Sequence, residues 1–267
     1  MSNLGDFTDI EVTIGDNHVA VVEIQRPPHN FFDIALINQI ADAYEALDES
    51  PDCRAIVLAA QGKNFCAGAN FGSGSEETGN AQRSDGGPMS GHLYQYAVRI
   101  FEAKTPVVAA VQGAAIGGGL GLAVSTDFRV TCPEGRFSAN FTRLGFHPGF
   151  GLTHTLPRLI GHNKAAELFY TGRRVKGDEA AEIGLADKLV PLDQVRSAAI
   201  EFAAEIAGSA PLAVLATRAT VRGDLAEQVR KATDHELVIQ NSLRETNDWN
   251  EGVKAMAERR TPNFTGT

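Results

Sequence analysis

Residues 106–120 read PVVAAVQGAAIGGGL and form the most informative stretch of the chain. The first part, residues 106–111, is a short apolar run that predicts a buried strand. The glycines at 117–119 predict a tight turn into a helix of small and apolar residues at 120–125. The first N–H groups of a helix lack intrahelical partners, and the helix dipole favours negative charge there. We therefore expect the turn at Gly118 to attract a negatively charged oxygen.

The residues on both sides extend this pattern into an α/β chain. Alternating residues at 10–24, interrupted at Gly15, predict a β-hairpin. Apolar residues at helical spacing over 33–47 predict a helix, and the buried run at 55–60 predicts a strand. Further strands are predicted at residues 128–132 and 136–140, and further helices at residues 92–103, 153–160, 164–170, 178–183, 194–208, 211–222 and 225–243.

Composition bounds the class of protein. A chain of 267 residues with 43% hydrophobic residues can bury a large core, either as one domain or as a domain plus a small appendage. The net charge of -9 disfavours a nucleic-acid partner, because phosphate neutralisation needs a basic surface. The first residues lack a signal-peptide pattern, and no stretch approaches the roughly 20 apolar residues of a membrane span. We therefore expect a cytoplasmic protein with no membrane partner.

The cysteines give no sign of a disulfide framework or a zinc site. Cys53, Cys66 and Cys132 are odd in number, widely spaced and not arranged as CxxC or beside histidines at metal-binding spacing. No metal is predicted, and a reducing compartment is the expected setting.

Several motifs in a fixed order carry a resemblance to a known family. They are Arg26-Pro27, residues 62–70 (GKNFCAGAN), residues 106–120, Asp127, and residues 171–173 (TGR) with residues 180–185 (AAEIGL). One GGG is a weak signal, but these motifs occur in the family's order and at its spacing, nearly end to end. The chain resembles the enoyl-CoA hydratase/isomerase (crotonase) family.

The resemblance implies both a fold and an assembly. The implied fold is a crotonase-like α/β spiral of ββα units followed by a C-terminal α-helical trimerisation region. We expect residues 1–195 to form the spiral core with the acyl-CoA site and residues 196–267 to form the helical oligomerisation region. The implied assembly is a homotrimer or a dimer of trimers.

The resemblance also implies a site. The backbone N–H groups of Ala69 and Gly118 would form an oxyanion hole for a thioester carbonyl, where fixed donors stabilise developing charge without reorganisation. Taken alone, the glycines at 117–119 are equally consistent with close helix packing. The residues implied to bind the acyl-CoA substrate, of which coenzyme A is a part rather than a separate cofactor, are Arg26, His29, Asn30, Lys63, Ala67, Gly68, Gly117 and Phe141.

Two of these residues have simple alternative interpretations. Arg26 is also suited to ordering the loop after the predicted hairpin, and a single lysine such as Lys63 is most often just solvated. The motif around Lys63 favours a role near the nucleotide of coenzyme A.

The sequence departs from the family at the positions that matter most for chemistry. The two glutamates of the family's hydratases correspond to Gly121 and Phe141, and an aspartate used by other branches corresponds to Gly149. Water addition to an enoyl thioester uses a paired acid and base. Ordinary two-glutamate hydration is therefore not predicted for this chain.

His147 is the best remaining acid/base candidate, because its imidazole titrates near neutral pH. The alternative is a histidine hydrogen-bonded into a loop rich in proline and glycine. His92, Glu76 and Glu77 lie in or beside residues 72–91, a glycine-rich segment predicted to be a loop or a lid over the ligand.

Three functions of different class follow. The first is an enzyme that acts on enoyl-CoA or a related acyl-CoA through an oxyanion-stabilised enolate. The second is a thioester hydrolase or decarboxylase that uses the same oxyanion hole. The third is an acyl-CoA-binding homologue without catalysis, which the fold alone does not exclude.

Overall fold

The computed structural model of the chain describes residues 5–70 and 92–267, and a parallel sheet lies at its centre. The strands of the described residues are β1 (Ile10–Ile14), β2 (Val19–Ile24), β3 (Ala55–Ala60), β4 (Val107–Val111), β5 (Ala114–Ile116), β6 (Phe128–Thr131), β7 (Arg136–Ser138), β8 (Val175–Lys176) and β9 (Lys188–Leu189).

The strands form two sheets. The six-stranded sheet has the order β1-β2-β3-β4-β6-β9, in which only the β1–β2 pair is antiparallel. The small sheet has the order β5-β7-β8. The predicted hairpin is confirmed, with Gly15 N–H donating to the Val19 carbonyl at 2.9 Å. The predicted buried strands β3 and β4 are confirmed too, since every residue of both is buried.

The helices cover the faces of the sheets, and the α/β class predicted from the sequence is confirmed. In chain order they are α1 (Ile34–Asp48), α2 (Leu93–Glu102), α3 (Gly118–Ser125), α4 (Leu152–Ile160), α5 (His162–Thr171), α6 (Gly177–Glu182), α7 (Val195–Ala207), α8 (Pro211–Arg222), α9 (Leu225–Leu243) and α10 (Asn247–Ala257).

One predicted strand end was wrong. The pattern at residues 136–140 predicts a strand through Asn140, but β7 ends at Ser138 and Asn140–Leu144 is a 3₁₀ helix. The tighter turn is held by the end of α5, because Thr142 Oγ1 donates to the Phe169 carbonyl at 2.7 Å. Long-range hydrogen bonds of this kind leave no local signal in the sequence.

The central sheet is buried on both faces, and its side chains alternate between two cores. Ile56 and Leu58 point into the core shared with α1, α2 and α3, whereas Val57 points into the core formed with α7. Within the described residues no single helix is long and apolar enough to cross a membrane. The pair Leu192–Ala207 and Pro211–Arg222, bent by 104°, passes that test together on length and composition alone.

Helix α9 supplies a cap that α4 lacks in its own sequence. The N-cap residue of α4 is Gly151, which has no side chain to accept a hydrogen bond. The Glu236 carboxyl, fully buried on α9, takes this role by accepting from Gly151 N–H at 2.8 Å, Thr153 N–H at 3.0 Å and Thr153 Oγ1 at 2.6 Å. The loop before α4 is therefore fixed by a helix from the other end of the chain.

Glu236 makes the stability of the fold depend on pH. Burial raises the pKa of Glu236 from 4.5 to about 7. The Glu236 carboxyl therefore binds its proton more tightly in the folded chain than in the unfolded chain. Its contribution to the free energy of unfolding is full below pH 4.5 and is lost as the pH rises to about 7. The total loss is about 3 kcal/mol. Burial lowers the pKa of His147, and this group therefore changes the stability with pH in the opposite direction. The effect of Glu236 is isolated by comparing the wild-type protein with a Glu236 variant.

We predict that Glu236→Gln removes this component. Urea unfolding at a series of pH values from 4 to 8 measures it, and the wild-type free energy of unfolding relative to the variant should fall as the pH rises. Glu227→Gln, an exposed position on the same helix, is the matched control and should leave the pH dependence unchanged. A wild-type advantage that is constant with pH would mean that the pKa of Glu236 is the same in the folded and the unfolded chain.

Candidate active site

A cavity of about 730 Å³ lies where two glycine-containing segments meet. Its lining includes Ala67, Gly68 and Ala69 from the segment after β3, and Gly117 and Gly118 at the start of α3. The structure therefore brings together five of the residues that the sequence assigned to the site.

Backbone hydrogen bonds hold the two segments side by side. Cys66 pairs with Ala115 in a parallel bridge, with Cys66 N–H donating to the Ala114 carbonyl at 2.8 Å and Ile116 N–H donating to the Cys66 carbonyl at 3.0 Å. The segment after β3 thus runs along β5 like an extra strand. The residues that follow it on each side, Ala69 and Gly118, are placed at the same end of this pairing.

Glycine is required where the backbones come closest. Gly68 has φ +86, and a Cβ on it would lie 2.7 Å from the Ile116 carbonyl oxygen. A Cβ on Gly119 would overlap the Cys66 carbonyl oxygen. A side chain at either position would push the two segments apart.

Two backbone donors in this region have no partner in the described chain. Gly117 is the N-cap of α3, so Gly118 N–H belongs to the first turn and has no intrahelical acceptor. Within residues 5–70 and 92–267, no group accepts a hydrogen bond from Gly118 N–H or from Ala69 N–H. Two N–H donors at one cavity are able to hydrogen-bond one negatively charged oxygen.

Aromatic rings form the wall beyond these donors. A Cβ on Gly118 would overlap the Phe32 ring, and a Cβ on Gly121 would lie 2.6 Å from Phe150 Cδ1. Phe141 also lines the cavity and packs edge-on against Phe146 with ring centroids 5.4 Å apart. The space that a glutamate at residue 121 would need is filled by Phe150.

The cavity lining is cationic, although the whole chain carries a net charge of -9. No aspartate or glutamate is found among the described residues that line it. Its charged side chains, all exposed, are those of Lys63, Arg136, Arg174 and Arg259, and the exposed His29 lies with them. This lining favours an anionic ligand.

Arg26 and Asn30 do not line the cavity. Arg26 forms ion pairs with Asp9 at 2.6 Å and Asp33 at 2.9 Å. The fully buried Asn30 side chain donates to the carbonyls of Gln61 at 2.9 Å and Asn64 at 2.8 Å. Both residues shape the loop that carries His29, whose carbonyl accepts from Ala67 N–H at 3.0 Å.

The structure does not bring His147 to the cavity. Its Nδ1 lies 2.8 Å from the Pro148 carbonyl oxygen, and its ring faces His235 on α9 with centroids 6.4 Å apart. Burial lowers the pKa of His147 below its ordinary value. Of the other candidates, His92 accepts from Tyr94 N–H at the start of α2, and Glu76 and Glu77 lie outside the described residues.

Tyr94 is a lining residue of the cavity that the sequence analysis missed. Tyr94 is buried, lines the cavity and donates from its hydroxyl to Gln240 Oε1 at 2.9 Å. The helical spacing of α2 indicated only that residue 94 lies on a buried face. The partnership with Gln240, which is 146 residues away, leaves no trace in a single sequence.

Known proteins resemble this chain over nearly its whole length. The sequence profile described as Enoyl-CoA hydratase/isomerase matches residues 15–267. A crotonyl-CoA hydratase of Syntrophomonas wolfei is 32% identical over 252 residues, covering 93% of this chain and 95% of the relative. A peroxisomal Delta(3,5)-Delta(2,4)-dienoyl-CoA isomerase of Arabidopsis thaliana is 31% identical over 259 residues, covering 93% of each chain.

A solved structure agrees with the sequence relatives. The crystal structure of an enoyl-CoA hydratase/isomerase from Pseudoalteromonas atlantica superposes with a TM-score of 0.85 at 28% identity, covering 97% of this chain and 100% of that one. The crotonase-like fold expected from the resemblance is confirmed. The chain belongs to the enoyl-CoA hydratase/isomerase family.

Proposed function

We propose that the protein binds acyl-CoA thioesters in the 730 Å³ cavity and stabilises a thioester enolate with the N–H groups of Ala69 and Gly118. The observation that carries the proposal is a pair of N–H donors at one cavity for which residues 5–70 and 92–267 offer no acceptor. As negative charge develops on the thioester oxygen, donors already in place stabilise it without rearrangement of the backbone.

The charge of the lining supports coenzyme A as the carrier of the acyl group. Coenzyme A brings several phosphates, and the exposed cations at Lys63, Arg174 and Arg259 offer them favourable partners. The acyl end meets an aromatic wall at Phe32 and Phe141. An anionic carrier with an apolar acyl group is the ligand class that fits both features.

The reaction we favour is one on an enoyl-CoA, as the names of both sequence relatives suggest. An enolate is common to water addition at Cβ, to double-bond isomerisation and to C–C cleavage. These reactions differ in the group that moves the proton, which at this site is not a carboxylate of the described lining residues.

Decarboxylation is a second candidate, and the absence of Asp and Glu from the described lining favours it. In that reaction the bond between Cα and the carboxylate carbon breaks and carbon dioxide leaves. The electron pair of the broken bond stays on Cα and forms the enolate. The enolate then takes a proton from water at Cα. No paired acid and base are required for the bond-breaking step.

We also propose that the chain assembles as a homotrimer or a dimer of trimers. Large apolar side chains are exposed on the C-terminal helices, with Leu212 80% exposed and Val221 69% exposed on α8, and Val238 69% exposed on α9. Light scattering after gel filtration measures the mass of the assembly.

The test of the reaction is incubation of the protein with enoyl-, malonyl- and saturated acyl-CoA thioesters in deuterated water, read by mass spectrometry. Water addition, isomerisation with deuterium uptake, hydrolysis and loss of carbon dioxide give different mass changes. Binding without any mass change across the panel would contradict an enzymatic function and favour the non-catalytic homologue.

The oxyanion hole predicts a specific difference between two variants of one residue. Gly118→Pro and Gly118→Ala both place a Cβ against Phe32, but only proline removes the N–H donor. We expect turnover of Gly118→Pro to be lower than that of Gly118→Ala by about 100-fold to 1,000-fold. The rate of the reaction identified by the thioester panel is the measurement.

The substitution Phe32→Ala is introduced into both variants to make room for the added carbon. Circular dichroism then verifies that the two proteins fold alike. Equal turnover of the proline and alanine variants would remove Gly118 N–H from the mechanism.

The cationic lining predicts salt-sensitive binding. We expect Lys63→Ala and Arg174→Ala each to weaken binding of coenzyme A by about threefold to tenfold and to reduce the dependence of the affinity on salt. Lys176→Ala, an exposed lysine outside the cavity lining, is the control and should have no effect. Calorimetric titration at two salt concentrations measures the affinity for coenzyme A. An equal loss of affinity in all three variants would contradict a local role of Lys63 and Arg174.

A further inference from the structure

Asn140 places a side-chain amide beside the glycine turn that begins α3. Gly117 N–H donates to the Ser138 carbonyl at 2.8 Å, and the pairing of β5 with β7 thereby sets the start of the 3₁₀ helix against this turn. A Cβ on Gly117 would lie 3.3 Å from Asn140 Oδ1. Because Gly117 directly precedes Gly118, the amide lies one residue away from an N–H donor of the site.

This amide has no partner within the part of the chain that the structure describes. Asn140 and Gly117 both line the cavity, and no described residue forms a hydrogen bond with the Asn140 side chain. Asn64, another asparagine of the lining, donates to the Pro28 carbonyl at 2.8 Å and accepts from Arg136 at 3.3 Å. The two asparagines therefore differ, and the Asn140 amide is available to a ligand.

The chemistry of an amide limits what Asn140 can do. A side-chain amide offers two N–H donors and one acceptor oxygen and carries no charge, so it binds by hydrogen bonds alone. A half-turn about the last side-chain bond exchanges Oδ1 and Nδ2, and no described residue holds the amide in one orientation. The described lining carries cations but no Asp or Glu, which favours a ligand oxygen that accepts a hydrogen bond from Nδ2.

The position of the amide indicates which ligand oxygen it meets. The Cβ on Gly117 would also lie 3.9 Å from Phe141 Cζ, so Asn140 stands at the edge of the aromatic wall on the acyl side. Consecutive Cα atoms are about 3.8 Å apart. A thioester oxygen held at Gly118 N–H therefore leaves the amide beside an atom a few bonds farther along the acyl chain. An oxygen on C3, on the same side as the thioester oxygen, fits this place.

We propose that Asn140 is a specificity-determining residue that donates a hydrogen bond from Nδ2 to an oxygen on C3 of the acyl group. The site then prefers a 1,3-dicarbonyl thioester, in which this oxygen belongs to a ketone or to a carboxylate, to a saturated acyl thioester. A ligand without that oxygen leaves the amide unpaired beside the aromatic wall. This inference rests on the proposed function, since it takes the cavity to be an acyl-CoA site.

The test compares acetoacetyl-CoA and malonyl-CoA with butyryl-CoA by calorimetric titration at low temperature. Mass spectrometry of the recovered ligand verifies that it is unconverted, and for a ligand that is converted kcat/KM takes the place of the affinity. We expect the wild-type protein to favour at least one dicarbonyl ligand over butyryl-CoA by about tenfold. The ligand with the larger advantage identifies the C3 oxygen as that of a ketone or of a carboxylate.

Two variants of Asn140 separate the hydrogen bond from the shape of the side chain. Asn140→Leu keeps a similar volume and removes the amide, so the advantage of the dicarbonyl ligands should be lost. Asn140→Asp keeps the shape, which provides a second variant if the leucine protein does not fold. Its carboxylate offers no donor and repels a second carboxylate, so it should bind malonyl-CoA more weakly than butyryl-CoA.

Asn163→Leu is the matched control. Asn163 is exposed on α5 and lies outside the cavity lining, so this variant should keep the wild-type preference. Circular dichroism verifies that each variant is folded.

The outcomes are distinguishable. Loss of the preference in the Asn140 variants but not in Asn163→Leu supports the proposal. Equal wild-type values for the dicarbonyl and saturated ligands, an unchanged preference in a folded Asn140 variant, or a loss in Asn163→Leu as well overturns the role of Asn140 and leaves the acyl-CoA site intact. Failure of the wild-type protein to bind any of the three thioesters overturns the proposed function, and this inference with it.

Discussion

The pairing of Cys66 with Ala115 is the interaction on which the site depends. It brings a segment that follows one strand of the central sheet against the short strand that precedes α3, so that Ala69 and Gly118 end at one cavity. The pairing is close enough that the Cys66 carbonyl leaves no room for a side chain at Gly119. A few backbone hydrogen bonds, together with glycine at residues 68 and 119, thus determine where the two N–H donors lie.

The charge and polarity of the cavity follow from separate parts of the chain. Cations at Lys63 and Arg174 lie on exposed loops, whereas the aromatic wall comes from buried residues such as Phe32 and Phe141. An apolar wall excludes water and strengthens any hydrogen bond formed beside it. Among the described lining residues, Tyr94 is the one that carries a hydroxyl group.

The sequence predicts the features that depend on local residue patterns and on backbone conformation. The buried runs of β3 and β4, the hairpin and the glycine turn at Gly118 all have local signatures, and the motif order identified the family. The side chains of the site were predicted less well. An ordinary histidine titrates near neutral pH, and His147 lies in the expected loop, but the direction of its ring depends on packing against α9. Tyr94 and Gln240 meet across 146 residues, a distance over which a single sequence carries no contact information.

Helix α9 fixes a loop whose Phe146 lines the cavity, although α9 itself contributes none of the described lining residues. Glu236 holds the start of α4 across 85 residues, and Gln240 holds the loop at His147 across 93 residues. During synthesis from the N-terminus, the strands and the glycine turn can form before either partner has been made. The loop behind the cavity acquires its final shape only after residue 240 has emerged. The loop that carries Phe146 is therefore among the last parts of the cavity to mature, and a chain interrupted before α9 would carry both N–H donors without the contacts that hold this loop.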